Sequence, residues 1–139
     1  RFLEAEKLAG EALNRFPEHA FVQFNAAQVL MSVGRLVEAA DCFKKSLSLE
    51  PAFTKAKIGL GDVLSSLSDR VGAEAAYREA LELDPDSATA SNNLGALLLD
   101  SASFSDAESC FQPAIKANPG YAEAYSNLCS SQREQAKLQ

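Results

Sequence analysis

An all-α solenoid of stacked antiparallel helix pairs is the fold class this sequence predicts, and three observations predict it. Pro17, Pro51, Pro85 and Pro119 recur at intervals of 34, 34 and 34 residues, a period typical of arrays whose units bury their apolar faces against one another. Between consecutive prolines lie two stretches with apolar residues at three- and four-residue spacing, the mark of short amphipathic helices. Alanine and leucine lead the composition with 24 and 18 copies, whereas Val, Ile and Thr number 6, 2 and 2. That balance favours helix over sheet.

Units starting at Ala20, Thr54, Ala88 and Ala122 divide the chain into one domain of several parts. These are a half repeat at 1–19, full repeats at 20–53, 54–87 and 88–121, and the first helix of a further repeat at 122–139. Helices are predicted near 2–15, 20–33, 36–49, 54–67, 70–83, 88–100, 104–117 and 122–135. The first carries Ala5, which continues the column Ala39, Ala73 and Ala107 of the later second helices. In the helix near 20–33, Ala27 shares its place with Gly61, Gly95 and Cys129. Small side chains there let crossing helices approach and leave room for a large aromatic. The helix near 36–49 supplies one, because Phe43 follows Ala39 by four residues, as Tyr77 follows Ala73 and Phe111 follows Ala107. Leu60, Val63, Leu64 and Leu67 form the apolar stripe of 54–67, and Ala73, Ala76, Tyr77, Ala80 and Leu81 that of 70–83. Each proline ends a second helix by forcing the residue before it (Phe16, Glu50, Asp84, Asn118) out of the helical region. Pro113 lies inside 104–117, removes the bond to the Ser109 carbonyl, and predicts a kink. In the last helix Tyr125, Leu128 and Cys129 lie where a following helix would pack. The piece is therefore expected to come from a longer array, or to have its ends covered by a second copy or a partner.

Thirteen Lys and Arg against nineteen Asp and Glu give a net charge of −6 spread along the chain, which is not the electrostatic footprint of a nucleic-acid binder. No apolar run approaches the roughly 18–20 residues that span a bilayer, so no membrane segment is expected. Cys42, Cys110 and Cys129 form neither a CxxC pair nor a dense framework, which points to a reducing, cytoplasmic setting and away from zinc or disulfides. The chain opens at Arg1 with no initiator Met or signal pattern, as a fragment or processed product would. Catalytic groups are scarce. His19 is the single histidine and falls in a turn; GxSxG, HExxH and P-loop spacings are absent; and Gly59-Leu60-Gly61 has Leu64 where a dinucleotide turn needs its third glycine. No enzyme, metal or cofactor is expected within these residues.

The spacing Leu60-Gly61…Leu64, Ala73…Tyr77, Pro85, repeated as Leu94-Gly95…Leu98, Ala107…Phe111, Pro119, resembles the tetratricopeptide repeat over essentially the whole chain. Gln23, Lys57, Ser91 and Tyr125 replace its tryptophan, and Leu30, Leu64 and Leu98 its first-helix tyrosine. The resemblance implies a right-handed superhelix of about eight helices whose first helices line a concave groove, and a protein or peptide as partner. It places Phe21, Phe24, Asn25, Gln28, Lys55, Asp62, Asn92, Asn93, Asn127 and Arg133 on the peptide-binding face. Asn25, Gly59, Asn93 and Asn127 share one place in successive units. Asparagine amides there either pair with successive peptide groups of an extended ligand or bond to a neighbouring helix. The column, with Ala124-Tyr125-Ser126-Asn127-Leu128, is similar to the repeats of O-linked N-acetylglucosamine transferases. The carboxylate clamp that other members use for chaperone tails is missing, since its places read Phe24, Gln28, Gly59, Thr89 and Asn93, or Ile58, Asp62, Asn93, Glu123 and Asn127. Three functions follow as expectations: an interaction scaffold, the substrate-recruiting arm of a larger enzyme such as a glycosyltransferase, or a scaffold that assembles with itself through its terminal helices.

Overall fold

The computed structural model describes residues 2–139, with side chains from Leu3 onward. Among the described residues there are eight helices and no strand: α1 (Phe2–Arg15), α2 (Ala20–Ser32), α3 (Leu36–Leu49), α4 (Thr54–Ser66), α5 (Arg70–Leu83), α6 (Ala88–Asp100), α7 (Phe104–Ala117) and α8 (Ala122–Ala136). Every predicted helix is present, with ends displaced by one residue at most. None is long and apolar enough to cross a membrane. Glu50 and Asn118, each ahead of a proline, have φ and ψ of −139° and 89° and of −138° and 89°, the extended backbone that a following proline ring imposes. Despite Pro113, α7 runs as one helix from Phe104 to Ala117.

The chain divides into two compact units, Arg1–Ala76 and Tyr77–Gln139. In the first, α1 packs on α2, α2 on α3 and α3 on α4, while α2 also touches α4 directly. Its core gathers Phe24, Ala27, Leu30, Ala39, Phe43 and Val63. In the second, α6 packs on α7, α7 on α8, and α6 touches α8, around Leu94, Ala107, Phe111 and Ala114. The large side chains of both cores come from few places, and glycine makes room for them. A Cβ built on Gly95 would stand 2.5 Å from Phe111 Cε1, and one on Gly59 would meet the Phe43 ring. The Gly95 hole was visible in the column of small residues. Gly59, by contrast, is not a gap in a row of amides: it receives the Phe43 ring from the helix before it.

Buried polar side chains close backbone ends where an apolar residue could not. Gln23, in the place of the family's tryptophan, donates Nε2–H to the Pro17 carbonyl at 2.9 Å. Ser46 Oγ donates to the Ala20 carbonyl and Ser131 Oγ to the Phe104 carbonyl, both at 2.8 Å. No buried side-chain N or O among the described residues is without a partner, as a stable interior requires.

The turns from α2, α4 and α6 into the next helix share one device, again at the 34-residue period. Gly34 has φ 85°, Ser68 63° and Ala102 59°, all left-handed. At each, two amides reach back into the helix end: Gly34 to Met31 and Arg35 to Leu30, Ser68 to Ser65 and Asp69 to Leu64, Ala102 to Leu99 and Ser103 to Leu98. This is the Schellman arrangement, which satisfies the last carbonyls and favours glycine at its left-handed residue. Ala102→Gly should therefore raise stability by about 1 kcal/mol, and Gly34→Ala lower it by a similar amount. Thermal melts of the two variants read opposite shifts of Tm.

Candidate functional site

The candidate site is taken unit by unit, at the two places where first helices meet: α2 with α4 in the first compact unit and α6 with α8 in the second. The two places carry different chemistry. In the first it is aromatic. Phe21 is 56% exposed, its ring nearly parallel (9°) to that of Phe53 at 6.3 Å between centroids. Phe24 is buried beneath them, 6.1 Å from Phe21, 4.8 Å from Phe53 and 6.0 Å from Phe43. Phe24 thus supports the patch from below instead of presenting a surface of its own. Phe53 is an addition to the expected set. It stands one residue ahead of α4, and its signal in the sequence is an aromatic in the same place as Tyr121.

Tyr121 plays the corresponding part in the second unit, with polar chemistry. Asn92 is fully buried; its Nδ2–H group faces Tyr121 Oη and Glu123 Oε1, both at 3.3 Å. Its Oδ1 accepts from Asn127 Nδ2 at 3.1 Å. Of the two roles open to the asparagine column, Asn127 shows the bond to a neighbouring helix, and Asn92, expected on the open face, lies inside that bond network. Asn25 lines the side of α2 that faces α1, next to Ala5, Leu8 and Val22. Asn25 and Asn127 thus each lie against an earlier helix of their own compact unit.

The remaining expected residues are placed more simply. Gln28, Lys55 and Arg133 are exposed, and Asp62 and Asn93 are half-buried. Arg133 Nε lies 3.6 Å from Glu134 Oε1 of its own helix. The structure thus brings together Phe21 with Phe24, and Asn92 with Asn127. His19 is exposed ahead of α2, and none of the three cysteines is in a disulfide. Burial, then the charges of Asp41 and Glu38, push the Cys42 thiol above its ordinary pKa, the opposite of what an activated nucleophile needs.

Family profiles described as tetratricopeptide repeat match residues 1–56 and 66–131. No curated protein sequence matches the chain. Solved structures do. The MamA protein superposes with a TM-score of 0.86 at 20% identity, over 97% of this chain and 74% of that one. The first TPR of Spaghetti (RPAP3), bound to the HSP90 peptide SRMEEVD, gives 0.81 at 20% identity, over 84% and 93%. The Sgt2 TPR domain from Aspergillus fumigatus gives 0.82 at 20% identity, over 86% and 80%. At these identities the likeness is one of fold.

Proposed function

This chain belongs to the tetratricopeptide-repeat family, and from that premise we propose that it is a protein-interaction module that holds an extended peptide or a partner's helix against its first helices. One observation carries the reading: the face where α2 meets α4 leaves a large aromatic, Phe21, open to solvent over a buried aromatic base. An open aromatic backed by further aromatic rings is the kind of anchor that interfaces use. A peptide bound to the Spaghetti domain supports the class of ligand. The acidic tail it carries is not part of the reading, because the clamp places here hold Phe24, Gln28, Gly59, Thr89 and Asn93. We read the chain as non-catalytic and cytoplasmic, with the enzyme-arm reading decided by whether a nucleotide-sugar-binding domain follows residue 139.

Asn93→Ala together with Asn127→Ala should weaken capture of the partner by about tenfold, the worth of one or two net hydrogen bonds, with helicity unchanged by circular dichroism. Unchanged affinity in a pull-down followed by titration would reject main-chain recognition. The self-assembly reading is favoured by an apolar cavity of about 330 Å³ between α1 and α2, lined by Leu8, Ala9, Val22 and Val29. Sedimentation over a concentration series decides it, since a constant monomer mass removes it.

A further inference from the structure

We propose that the groove between the second helices α1 and α3 of the first unit is a docking site for a basic side chain of a partner protein, with the aliphatic stem on its apolar floor and the cation at Asp41. It is separate from the aromatic place on α2 and α4, and it does not rest on the peptide-binding reading above.

The groove exists because α1 and α3 each pack on α2 and not on one another. The space between them is about 330 Å³, with Gly10 and Leu13 on the α1 side, Asp41 and Cys42 on the α3 side, and Leu30 of α2 in its lining. Leu30 is buried and Leu13 half-buried, so the floor is apolar. Arg35, in the turn ahead of α3, bridges the two walls: Nη1–H donates to Glu6 Oε2 of α1 at 2.9 Å and Nε–H to Glu38 Oε1 of α3 at 2.8 Å. That bridge engages two of the three carboxylates in the lining. The third, exposed Asp41, is in no ion pair among the described residues. Three carboxylates against one guanidinium leave the lining negative. The Cys42 thiol does not add to that charge, since burial and then Asp41 and Glu38 push its pKa up. An apolar floor beside an unpaired carboxylate suits a side chain that is aliphatic along its stem and cationic at its tip.

Gly10 points the same way by an independent route. A glycine inside a helix lowers stability relative to alanine, and Gly59 and Gly95 show the packing that justifies one, each against an aromatic ring. Gly10 has no such reason: outside the backbone of its own helix, nothing lies within 4 Å of a Cβ built there. The same place in the later second helices holds Lys44, Arg78 and Gln112, all long side chains. Only α1 leaves this wall bare, and a bare wall lets another chain approach the backbone closely.

Nuclear magnetic resonance on the ¹⁵N-labelled full chain tests the proposal with a capped Ala-Ala-Lys-Ala-Ala peptide and its norleucine counterpart, which keeps the stem and lacks the ammonium. At millimolar concentration only the lysine peptide should shift the backbone amide signals of Gly10 and Asp41, and added salt should shrink the shift. Asp41→Asn should weaken that binding about tenfold, the loss of one charged hydrogen bond. Gly10→Gln gives α1 the residue that α7 has in this place. It should raise Tm by about 4 °C and, by filling the groove, weaken binding at least as much as Asp41→Asn. A glycine that the helix merely tolerates would give the same rise in Tm with affinity unchanged, and that result overturns the docking role. Equal shifts from the two peptides overturn the choice of a cation. Silence at Gly10 and Asp41, whether or not other signals move, overturns the site itself.

Discussion

Phe111→Ala is expected to lower the stability of this chain by about 3–5 kcal/mol, the usual result of emptying a fully buried aromatic site that cannot collapse. Phe111 is completely buried, and its ring lies against Gly95 of α6, which has no side chain to move into the vacated space. Phe43→Ala should cost a similar amount in the first unit, where the ring touches Phe24 and fills the space left by Gly59. A domain of ordinary size holds a net stability of only about 5–15 kcal/mol, so either change takes a large share. Urea titration followed by circular dichroism measures it. A loss below about 1 kcal/mol would mean that the two rings do not hold the helix pairs together.

Gly95→Val is the second large effect, and it runs against helix propensity. Replacing a helical glycine in open space gains up to about 1 kcal/mol. At Gly95 the new Cβ would stand 2.5, 2.8 and 2.9 Å from three atoms of the Phe111 ring, closer than carbon atoms approach. Overpacking of this kind costs about 1–3 kcal/mol or more, so a net loss of about 2 kcal/mol is expected. Adding Phe111→Leu should return part of it, because ring and hole are one contact. A coupling of at least about 0.5 kcal/mol in that double-mutant cycle marks such a contact. Strictly additive losses would place Phe111 elsewhere.

Most of the fold was legible because its rules are local and repeat four times. Proline spacing gave the period, and apolar spacing gave eight helices whose ends the structure moves by one residue at most. What escaped the sequence depends on groups that change identity from unit to unit. The left-handed turn residue is glycine only at Gly34 and is Ser68 and Ala102 elsewhere, so no glycine column announces it. Which ring Gly59 packs against is hidden as well, because Phe43 lies in the preceding helix. Of the residues expected on the groove, Phe21 and Phe24 lie side by side, but which of the two remains open depends on Phe53, a residue outside the helical pattern. Asn92 and Asn127 stand 35 residues apart, and only the packing of α8 on α6 shows that the two amides bond to each other.

The central claim is that a partner lies on the first helices of the repeats. Amide hydrogen exchange of the full chain, with and without the partner peptide recovered by pull-down, tests it most directly. Binding should slow exchange in α2, α4, α6 and α8, where Phe21, Lys55, Asn93 and Asn127 stand. Protection confined to α3, α5 and α7 would contradict it.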